Sequence, residues 1–200
     1  MQMMNKILNL YKADVWKRTL IIWLFCQIVM WLIFGVSYLC HQDAWINVSD
    51  VVGNNDSINE WWSLFLFIVF NNLFICILIM IGNWFVRFNI ITPGVLILLL
   101  QIIGIGWVAG SNAFEFPFTS VSEANIQYLK IGLWEVTAYI FSFSATISKS
   151  LNESNRFLPN KWDKTRSLKE MKPNKSEILI IAIAVILIIV AALIETFSLI

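Results

Sequence analysis

Residues 131–148 read IGLWEVTAYIFSFSATIS, an apolar run long enough to cross a bilayer that contains one carboxylate, Glu135. An acidic side chain at the centre of a membrane helix costs about 2.5–3.5 kcal/mol on insertion scales, so such residues face a protein interior, a partner or a water-filled cavity. Small and hydroxyl residues recur along the same run, and these let membrane helices approach closely and hydrogen-bond one another. The run predicts an interior helix of a membrane bundle.

The composition places the whole chain in the same class. Of its 200 residues, 58% are hydrophobic and 14% are charged, and the mean hydropathy is +0.73. Ordinary soluble domains are about 45–50% apolar and about 25% charged. We therefore predict a single integral membrane domain over residues 1–200, of the all-α class. The net charge of +1 indicates no nucleic-acid partner.

Five apolar stretches have the length, about 20 residues, that a helix needs to cross the hydrocarbon core. We predict a polytopic bundle of five transmembrane helices, at residues 19–40, 62–86, 92–111, 129–148 and 177–199. Before the first span, apolar residues at near-helical spacing are interleaved with basic ones, which predicts an N-terminal amphipathic segment on the membrane surface. The first apolar run is too long for a cleavable signal peptide, so it is expected to remain as a span.

Basic residues are concentrated in alternate connections of this predicted topology. All fourteen except Lys130 lie before the first span, between the second and third, or in the segment 149–175. The connections 41–61 and 112–128 are acidic. By the positive-inside rule the basic connections are cytoplasmic, which predicts the amino terminus inside and the carboxyl terminus outside.

The basic cytoplasmic loop 149–175 has two interpretations. Its charge sets the topology and attracts anionic lipids, or it docks a cytoplasmic partner such as an ATPase. The residues expected to dock a partner or lipid are Lys161, Lys164, Arg166 and Lys169.

Four polar residues within the predicted spans are candidates for a buried polar cluster: Asn71, Asn72, Glu135 and Glu195. Adjacent carboxamides on a helix point about 100° apart, so at least one of Asn71 and Asn72 needs a protein partner or water. The simpler interpretation is interhelical hydrogen bonding that holds the bundle. The functional alternative is a polar path in which one of them meets Glu135 or Glu195, although Glu195 is also close enough to a span end to be solvated there.

The sequence gives little support for catalytic chemistry. His41 is the single histidine, and there is no phosphate-binding loop and no Gly-x-Ser-x-Gly motif. Cys26, Cys40 and Cys76 lack metal-ligand spacing and lie in or beside apolar segments. We expect no enzyme activity, no catalytic residues, no metal site and no cofactor.

Several short motifs occur in an order that resembles one family. They are Asn71-Asn72, Gly82, a glycine-rich third span, Gly132-Leu-Trp-Glu135 and Ala192-Leu-Ile-Glu195. Over roughly residues 62–200 the chain resembles the stage II sporulation protein M family. The resemblance implies about five spans and two contexts. One is a membrane scaffold that anchors peptidoglycan-remodelling partners, and the other is the similar membrane proteins of circular-bacteriocin gene clusters, which work with an ATPase and other membrane subunits.

The expected function is that of a non-catalytic integral subunit of a bacterial envelope complex in the cell membrane. We expect it to act in bacteriocin or peptide maturation, export or immunity, together with an ATPase partner. Two alternatives stay open: a sporulation-type scaffold for peptidoglycan-remodelling proteins, and a self-contained ion- or proton-coupled transporter or channel that uses Glu135 and Glu195. The expected partners are the lipid bilayer and membrane and ATPase subunits, with a peptide substrate and a homo-oligomer as further options.

Overall fold

The computed structural model of the chain describes residues 2–46, 61–114, 116–154, 161–167 and 169–199. Helices make up most of these residues: α1 (Gln2–Lys12), α2 (Val15–Cys40), α3 (Trp61–Phe85), α4 (Pro93–Ser111), α5 (Val121–Gln127), α6 (Leu133–Thr146) and α7 (Lys175–Leu199). A 3₁₀ turn follows α2 at Gln42–Trp45, and a π-helix at Tyr128–Gly132 joins α5 to α6. Most of the predicted acidic connection 41–61 lies outside the described residues.

Four helices are long and apolar enough to cross a membrane. They are α2, α3, α4 and residues Lys175–Ser198 of α7. They coincide with four of the five predicted spans, so the helical class is confirmed and these four segments have the length and apolarity that spans require.

The predicted span 129–148 differs. Residues 129–148 contain most of the π-helix and all of α6, and α5 directly precedes them. These three elements have 5, 14 and 7 residues and follow one another without a break. None of the three alone reaches the roughly 20 residues that a spanning helix needs. A π-helix changes the backbone hydrogen bonding to residue i+5 and so interrupts the α-helical pattern. The prediction of five uninterrupted transmembrane helices is therefore not matched at this element.

Short polar side chains cap the starts of two spans. The carboxylate of Asp14 accepts a hydrogen bond from the Trp16 amide at 2.9 Å, just before α2. The hydroxyl of Thr92 accepts from the Val95 amide at 3.1 Å, and Pro93 occupies the first turn of α4. These residues pair backbone donors that helix starts otherwise leave open, and Pro93 has no such donor to pair.

The starts of α2, α4 and α7 meet the ends of α3 and α6 at one end of the bundle, which we call the basic end. Arg18 of α2 donates to the backbone oxygen of Ser144 in α6 at 2.6 Å and pairs with Glu177 of α7 at 3.0 Å. Thr92 donates to Asn83 near the end of α3 at 2.5 Å. Successive long helices therefore run in alternating directions.

Glycines allow α4 to approach two of its neighbours closely. Gly82 of α3 lies against the backbone of Gly94 in α4. Further along α4, Gly106 and Gly110 lie against the backbone of α2, the former at Met30. Small residues permit this approach because they keep side chains out of the contact between helices.

The mainly α-helical chain also contains a small sheet at the basic end, which its sequence did not predict. The sheet contains β1 (Val86–Phe88), β2 (Asn152–Ser154) and β3 (Asp163–Lys164) in that order. Strands β1 and β2 are parallel, with Arg87 opposite Glu153, and β2 and β3 are antiparallel. These strands lie in the connections outside the apolar spans, where backbone groups need partners other than a helix provides.

Helix α6 lies in the interior of the bundle, as its sequence predicts. Nine of its 14 residues are buried. In each of the four long helices, by contrast, only 28–33% of the most apolar 18-residue stretch is buried. Its buried residues are Val136, Ala138, Tyr139, Ile140, Ser142, Phe143, Ser144, Ala145 and Thr146.

The N-terminal amphipathic segment forms α1, and its end packs on the core. Tyr11 is buried, and its hydroxyl donates to the backbone oxygen of Ile90 at 3.0 Å. Ile7 and Leu8 pack against the same core. Burial raises the pKa of Tyr11 to about 12, so the phenol keeps its proton and remains a donor at neutral pH. Helix α1 is therefore part of the basic end as well as an amphipathic segment.

Candidate functional site

The candidate site within the bundle is a chain of three hydrogen-bonded side chains, which we call the polar triad: Asn72, Glu135 and Tyr139. Asn72 of α3 donates from Nδ2 to Oε1 of Glu135 at 2.6 Å. The hydroxyl of Tyr139 donates to Oδ1 of Asn72. Asn72 and Tyr139 are buried, and Glu135 is half-buried. The carboxamide thus uses its donor and its acceptor at the same time.

Local sequence explains how the triad is positioned. Glu135 and Tyr139 are four residues apart in α6 and so lie on one face of that helix. Asn72 lies midway along α3 on its buried face, which also carries Cys76 and Ile79 one and two turns later. The triad therefore forms where the buried faces of α3 and α6 meet.

The other two residues of the predicted cluster lie apart from the triad. Glu195 of α7 is half-buried and makes no hydrogen bond among the described residues, and its carboxyl group lies close enough to that of Glu135 for the two to interact electrostatically. Asn71 is exposed, because its side chain points about 100° away from that of Asn72. The structure thus joins Asn72 and Glu135, places Glu195 nearby and leaves Asn71 outside the cluster.

One oxygen of Glu135 is available for further chemistry. Oε1 accepts from Asn72, whereas Oε2 has no donor in the part of the chain that the structure describes. A carboxylate oxygen at this position can accept a proton, bind a cation or contact a polar group of a partner. The same geometry also serves simply to hold α3 against α6.

A second polar network joins α3, α4 and α6 near the basic end. Asn83 is fully buried, and its Nδ2 donates to Oγ1 of Thr146 at 2.9 Å. The hydroxyl of Thr92 donates to Oδ1 of Asn83, and the hydroxyl of Ser150 donates to the backbone oxygen of Asn83 at 3.0 Å. These bonds occupy both the amide nitrogen and the amide oxygen of the Asn83 side chain. We therefore interpret this network as one that stabilises the fold.

A buried ion cluster ties α2 to α7. Arg18 and Glu177 form an ion pair at 3.0 Å, and both side chains are almost fully buried. Lys149 also pairs with Glu177, at 3.1 Å. Asn174 and Glu177 cap the start of α7 reciprocally, each side chain accepting from the backbone amide of the other. The charge of Glu177 is therefore compensated on both sides.

A polar cavity of about 390 Å³ opens beside this ion cluster. Its lining includes Lys12, Arg18, Lys149, Arg166 and Glu177. Two of these cations already pair with Glu177, so much of the charge in the wall is balanced within the protein.

The described parts of the basic loop, residues 149–154, 161–167 and 169–175, lie against the ends of the helices. Arg87 of β1 is buried and forms an ion pair with Glu153 of β2. Arg166 is half-buried and donates to the backbone oxygen of Ser148. The other three residues predicted to dock a partner are exposed: Lys161, Lys164 and Lys169. Among the described residues, the side chain of Arg166 therefore has a hydrogen bond that the side chains of these three lysines lack.

Comparison with known proteins identifies the family. The family model described as Stage II sporulation protein M matches residues 19–198. The chain belongs to the Stage II sporulation protein M family. The match includes the first span, where the sequence offered no recognisable motif, and with the four long apolar helices it indicates a membrane protein. No curated protein and no solved structure matches the chain.

In this Stage II sporulation protein M family member, sequence reasoning missed four residues of the polar triad and the ion cluster, which are Tyr139, Arg18, Asn174 and Glu177. Tyr139 follows Glu135 by one helical turn, and that spacing indicates that the two side chains lie on the same face of the helix. The pattern of Asn174 followed three residues later by Glu177 was a capping signal. No sequence pattern distinguished the buried Arg18 from the other basic residues before the first span. Among the described residues, no group of three or more His, Cys, Asp and Glu side chains is placed to hold a metal ion.

Proposed function

We propose that this family member is a non-catalytic integral subunit of a bacterial envelope complex in the cell membrane. We infer that it acts in bacteriocin or peptide maturation, export or immunity, with an ATPase partner on the cytoplasmic side. The observation that carries this proposal is that the described parts of the basic loop contain exposed lysines and are attached to the membrane helices by ion pairs and hydrogen bonds. A loop that served only to set the topology would need charge but no such attachment.

Two ion-pair contacts support a mechanical role for the loop. Arg87 lies two residues after the end of α3 and pairs with Glu153 in the sheet. Lys149, at the start of the loop, pairs with Glu177 in the first turn of α7. A partner that binds the exposed Lys161 and Lys164 would therefore act on α3 and α7 through short, partly buried contacts.

We also propose that α5, the π-helix and α6 together make a fifth crossing. The helical run from Val121 to Thr146 is continuous, and at 1.5 Å per residue it is long enough to span the roughly 30 Å hydrocarbon core. Its last turn shares the basic end with Arg18. This crossing would place the basic end and the amino terminus in the cytoplasm and the carboxyl terminus outside.

Affinity purification in mild detergent with quantitative mass spectrometry tests the subunit proposal. The loop variant changes Lys161, Lys164 and Lys169 to Gln and keeps Arg166, whose contact with Ser148 supports the loop. The matched control changes three exposed lysines at the same end of the bundle to Gln: Lys6, Lys12 and Lys17. An ATPase recovered with the native chain and the control but lost with the loop variant is the expected result. Recovery of the chain alone from its native host in several detergents would contradict it.

A transport role is the second candidate, and the half-buried Glu135 favours it. One of its oxygens lacks a protein donor in the described residues, and a second carboxylate, Glu195, is near. If the chain is a transporter, the purified protein alone should move protons or a monovalent cation across liposomes, and Glu135→Gln should abolish the flux. Absence of flux from well-incorporated protein would contradict this candidate. A pure scaffold would tolerate Gln at both acidic positions.

A further inference from the structure

An outward-facing stripe runs along α3 and has one polar residue near its middle. Its members are spaced alternately by four and three residues and are Phe67, Asn71, Phe74, Leu78, Ile81 and Phe85. Leu78 is half-buried and the others are exposed. We call this stripe the α3 seam.

Asn71 is the polar exception on the seam. Its side chain is exposed and forms no hydrogen bond with any described residue, although it lies near the midpoint of α3. The carboxamides near the middle of two neighbouring spans, Gln27 and Gln101, are buried and half-buried. A carboxamide that faces lipid finds no water to bond, so its exposure is unfavourable until another polar group in the membrane meets it.

Residues spaced alternately by four and three positions form one face of any α-helix, and a second helix is an element that can pack along such a face. Contact residues that alternate by four and three positions are the pattern of a left-handed pair of helices, and transmembrane helices commonly pack with this geometry. A single Asn at a central contact position sets the register of such a pair. The seam is therefore suited to a helix that brings a polar group to the level of Asn71.

We propose that two copies of this chain pair in the membrane through the α3 seam, with a hydrogen-bonded pair of Asn71 side chains at its centre. Copies inserted in the same orientation have parallel α3 helices, so a twofold axis along the membrane normal brings Asn71 of each to the same depth. A carboxamide carries both donors and an acceptor, so two of them satisfy each other. A second copy is thus the partner whose sequence guarantees the match.

The pairing is compatible with the other sites of the molecule. Asn72 faces α6 rather than the seam, so the polar triad stays intact. The exposed lysines of both basic loops come to the same side of the membrane. The inference rests on α3 alone and goes beyond the proposed function.

Thiol cross-linking in membranes tests the seam. In a Cys40→Ser background, which removes the exposed native thiol, single cysteines replace Phe67 or Phe74 on the seam. Leu32 of α2 is the matched control, because it is an apolar residue of similar exposure: 64%, against 70% for Phe67 and 58% for Phe74. A short bifunctional thiol reagent should yield dimers from the two seam positions and not from Leu32→Cys.

Variants of Asn71 measure its part in the pairing. Self-association of fluorophore-labelled copies in liposomes can be followed by resonance energy transfer as lipid is added. Asn71→Leu should weaken it about 5- to 30-fold, the effect expected for an interhelical hydrogen bond. Asn71→Gln keeps the carboxamide and should retain most of the association. An unchanged thermal midpoint of the monomer in detergent confirms that each variant folds.

Equal cross-linking at Leu32→Cys, or self-association that Asn71→Leu leaves unchanged, would overturn the proposal. So would cross-linking of Phe74→Cys to a different polypeptide in native membranes without any dimer, which would assign the seam to a partner subunit. If Asn71→Leu does not fold, the cross-linking experiment tests the proposal by itself. Chains that keep Asn71 should then cross-link from the seam positions and not from Leu32→Cys.

Discussion

Asn72 joins two groups that the interior of the bundle would otherwise leave unpaired. Its amide oxygen accepts from Tyr139, and its amide nitrogen donates to Glu135. In a membrane such groups cannot turn to water when a partner is lost, so the desolvation penalty stays with them. Asn72 is therefore the member of the triad on which both other members depend.

Asn72→Leu is expected to lower the free energy of unfolding by about 1–3 kcal/mol or more, because Tyr139 and Glu135 both lose their partner. Reversible unfolding of the monomer in detergent would measure it. Asn71→Leu is the matched control, since it makes the same change at an exposed neighbour. The control should shift monomer stability by less than about 0.5 kcal/mol. Equal losses from the two variants would contradict the assignment of the triad.

Arg18→Met should destabilise the protein by about 3–5 kcal/mol, because it leaves buried acceptors without their donor. Besides Glu177, the guanidinium serves the backbone oxygens of Ser144 and Tyr11. Lys17→Met changes an exposed cation one residue earlier and should alter stability by no more than about 0.5 kcal/mol. Thermal unfolding of both variants in the same detergent compares them.

Adding Glu177→Gln to Arg18→Met separates the ion pair from the rest of the cluster. Removing the second charge should cost less in the Arg18→Met background than in the native chain, because the carboxylate has then already lost one partner. Strict additivity of the two changes would show that the pair contributes nothing by itself.

At the scale of elements, a close contact between α3 and α4 depends on glycine. A methyl group added at Gly82 would lie 2.5 Å from the backbone nitrogen of Gly94. Backbone atoms cannot move aside as the end of a side chain can, so the two helices would have to separate. Gly104 of α4 is different, because a methyl group added there meets nothing within 4 Å.

Gly82→Ala should therefore destabilise the fold by about 1–3 kcal/mol through overpacking. Gly104→Ala is the control and should stabilise α4 by about 0.5–1 kcal/mol, because alanine is the better helix former. Unfolding of both variants in detergent measures the difference in sign. Stabilisation by Gly82→Ala would show that α3 and α4 are further apart than the structure has them.

The π-helix matters to its neighbours because it orients Tyr128 toward α2. The hydroxyl of Tyr128 donates to Oε1 of Gln27 at 2.7 Å, and its ring meets Trp31 edge-on at 5.5 Å. The same ring lies over Gly132, where an added methyl group would be 2.8 Å from a ring carbon. Irregular turns of this kind occur often at functional sites, and this one ends three residues before Glu135.

At the scale of the whole molecule, the number of crossings decides where the two termini lie. Five crossings place them on opposite sides of the membrane, and four place them on the same side. Whether the run from Val121 to Thr146 crosses the membrane decides between five crossings and four, since the other four spans are long apolar helices.

Single cysteines at Lys6 and Ser198, both exposed positions, should therefore react with a membrane-impermeant thiol reagent from opposite sides. The experiment uses sealed vesicles of known orientation and the Cys40→Ser background, in which Cys26 and Cys76 are buried. Labelling of both positions from the same side would contradict the fifth crossing and with it the predicted orientation.

Much of the architecture follows from features that are local in the sequence. The length and hydropathy of a span, the capping of α4 by Thr92 and the charge of each connection depend on residues within a few turns of each other. For the same reason the sequence could indicate an interior helix around Glu135, since a carboxylate in an apolar run has to face the protein interior, a partner or a water-filled cavity. The π-helix was beyond such reasoning, because hydropathy does not report which backbone groups pair.

Tertiary structure alone decided which residues meet. Whether Asn71 or Asn72 faces Glu135 depends on the rotation of α3 against α6, and two adjacent asparagines give no local signal for it. The burial of Arg18 depends on Glu177, 159 residues away, and β1 pairs with β2, which α4, α5 and α6 separate from it in the chain. The physical reason is that hydropathy and capping act between neighbours in the chain, whereas hydrogen bonds and ion pairs in a bundle form between helices that are distant in sequence.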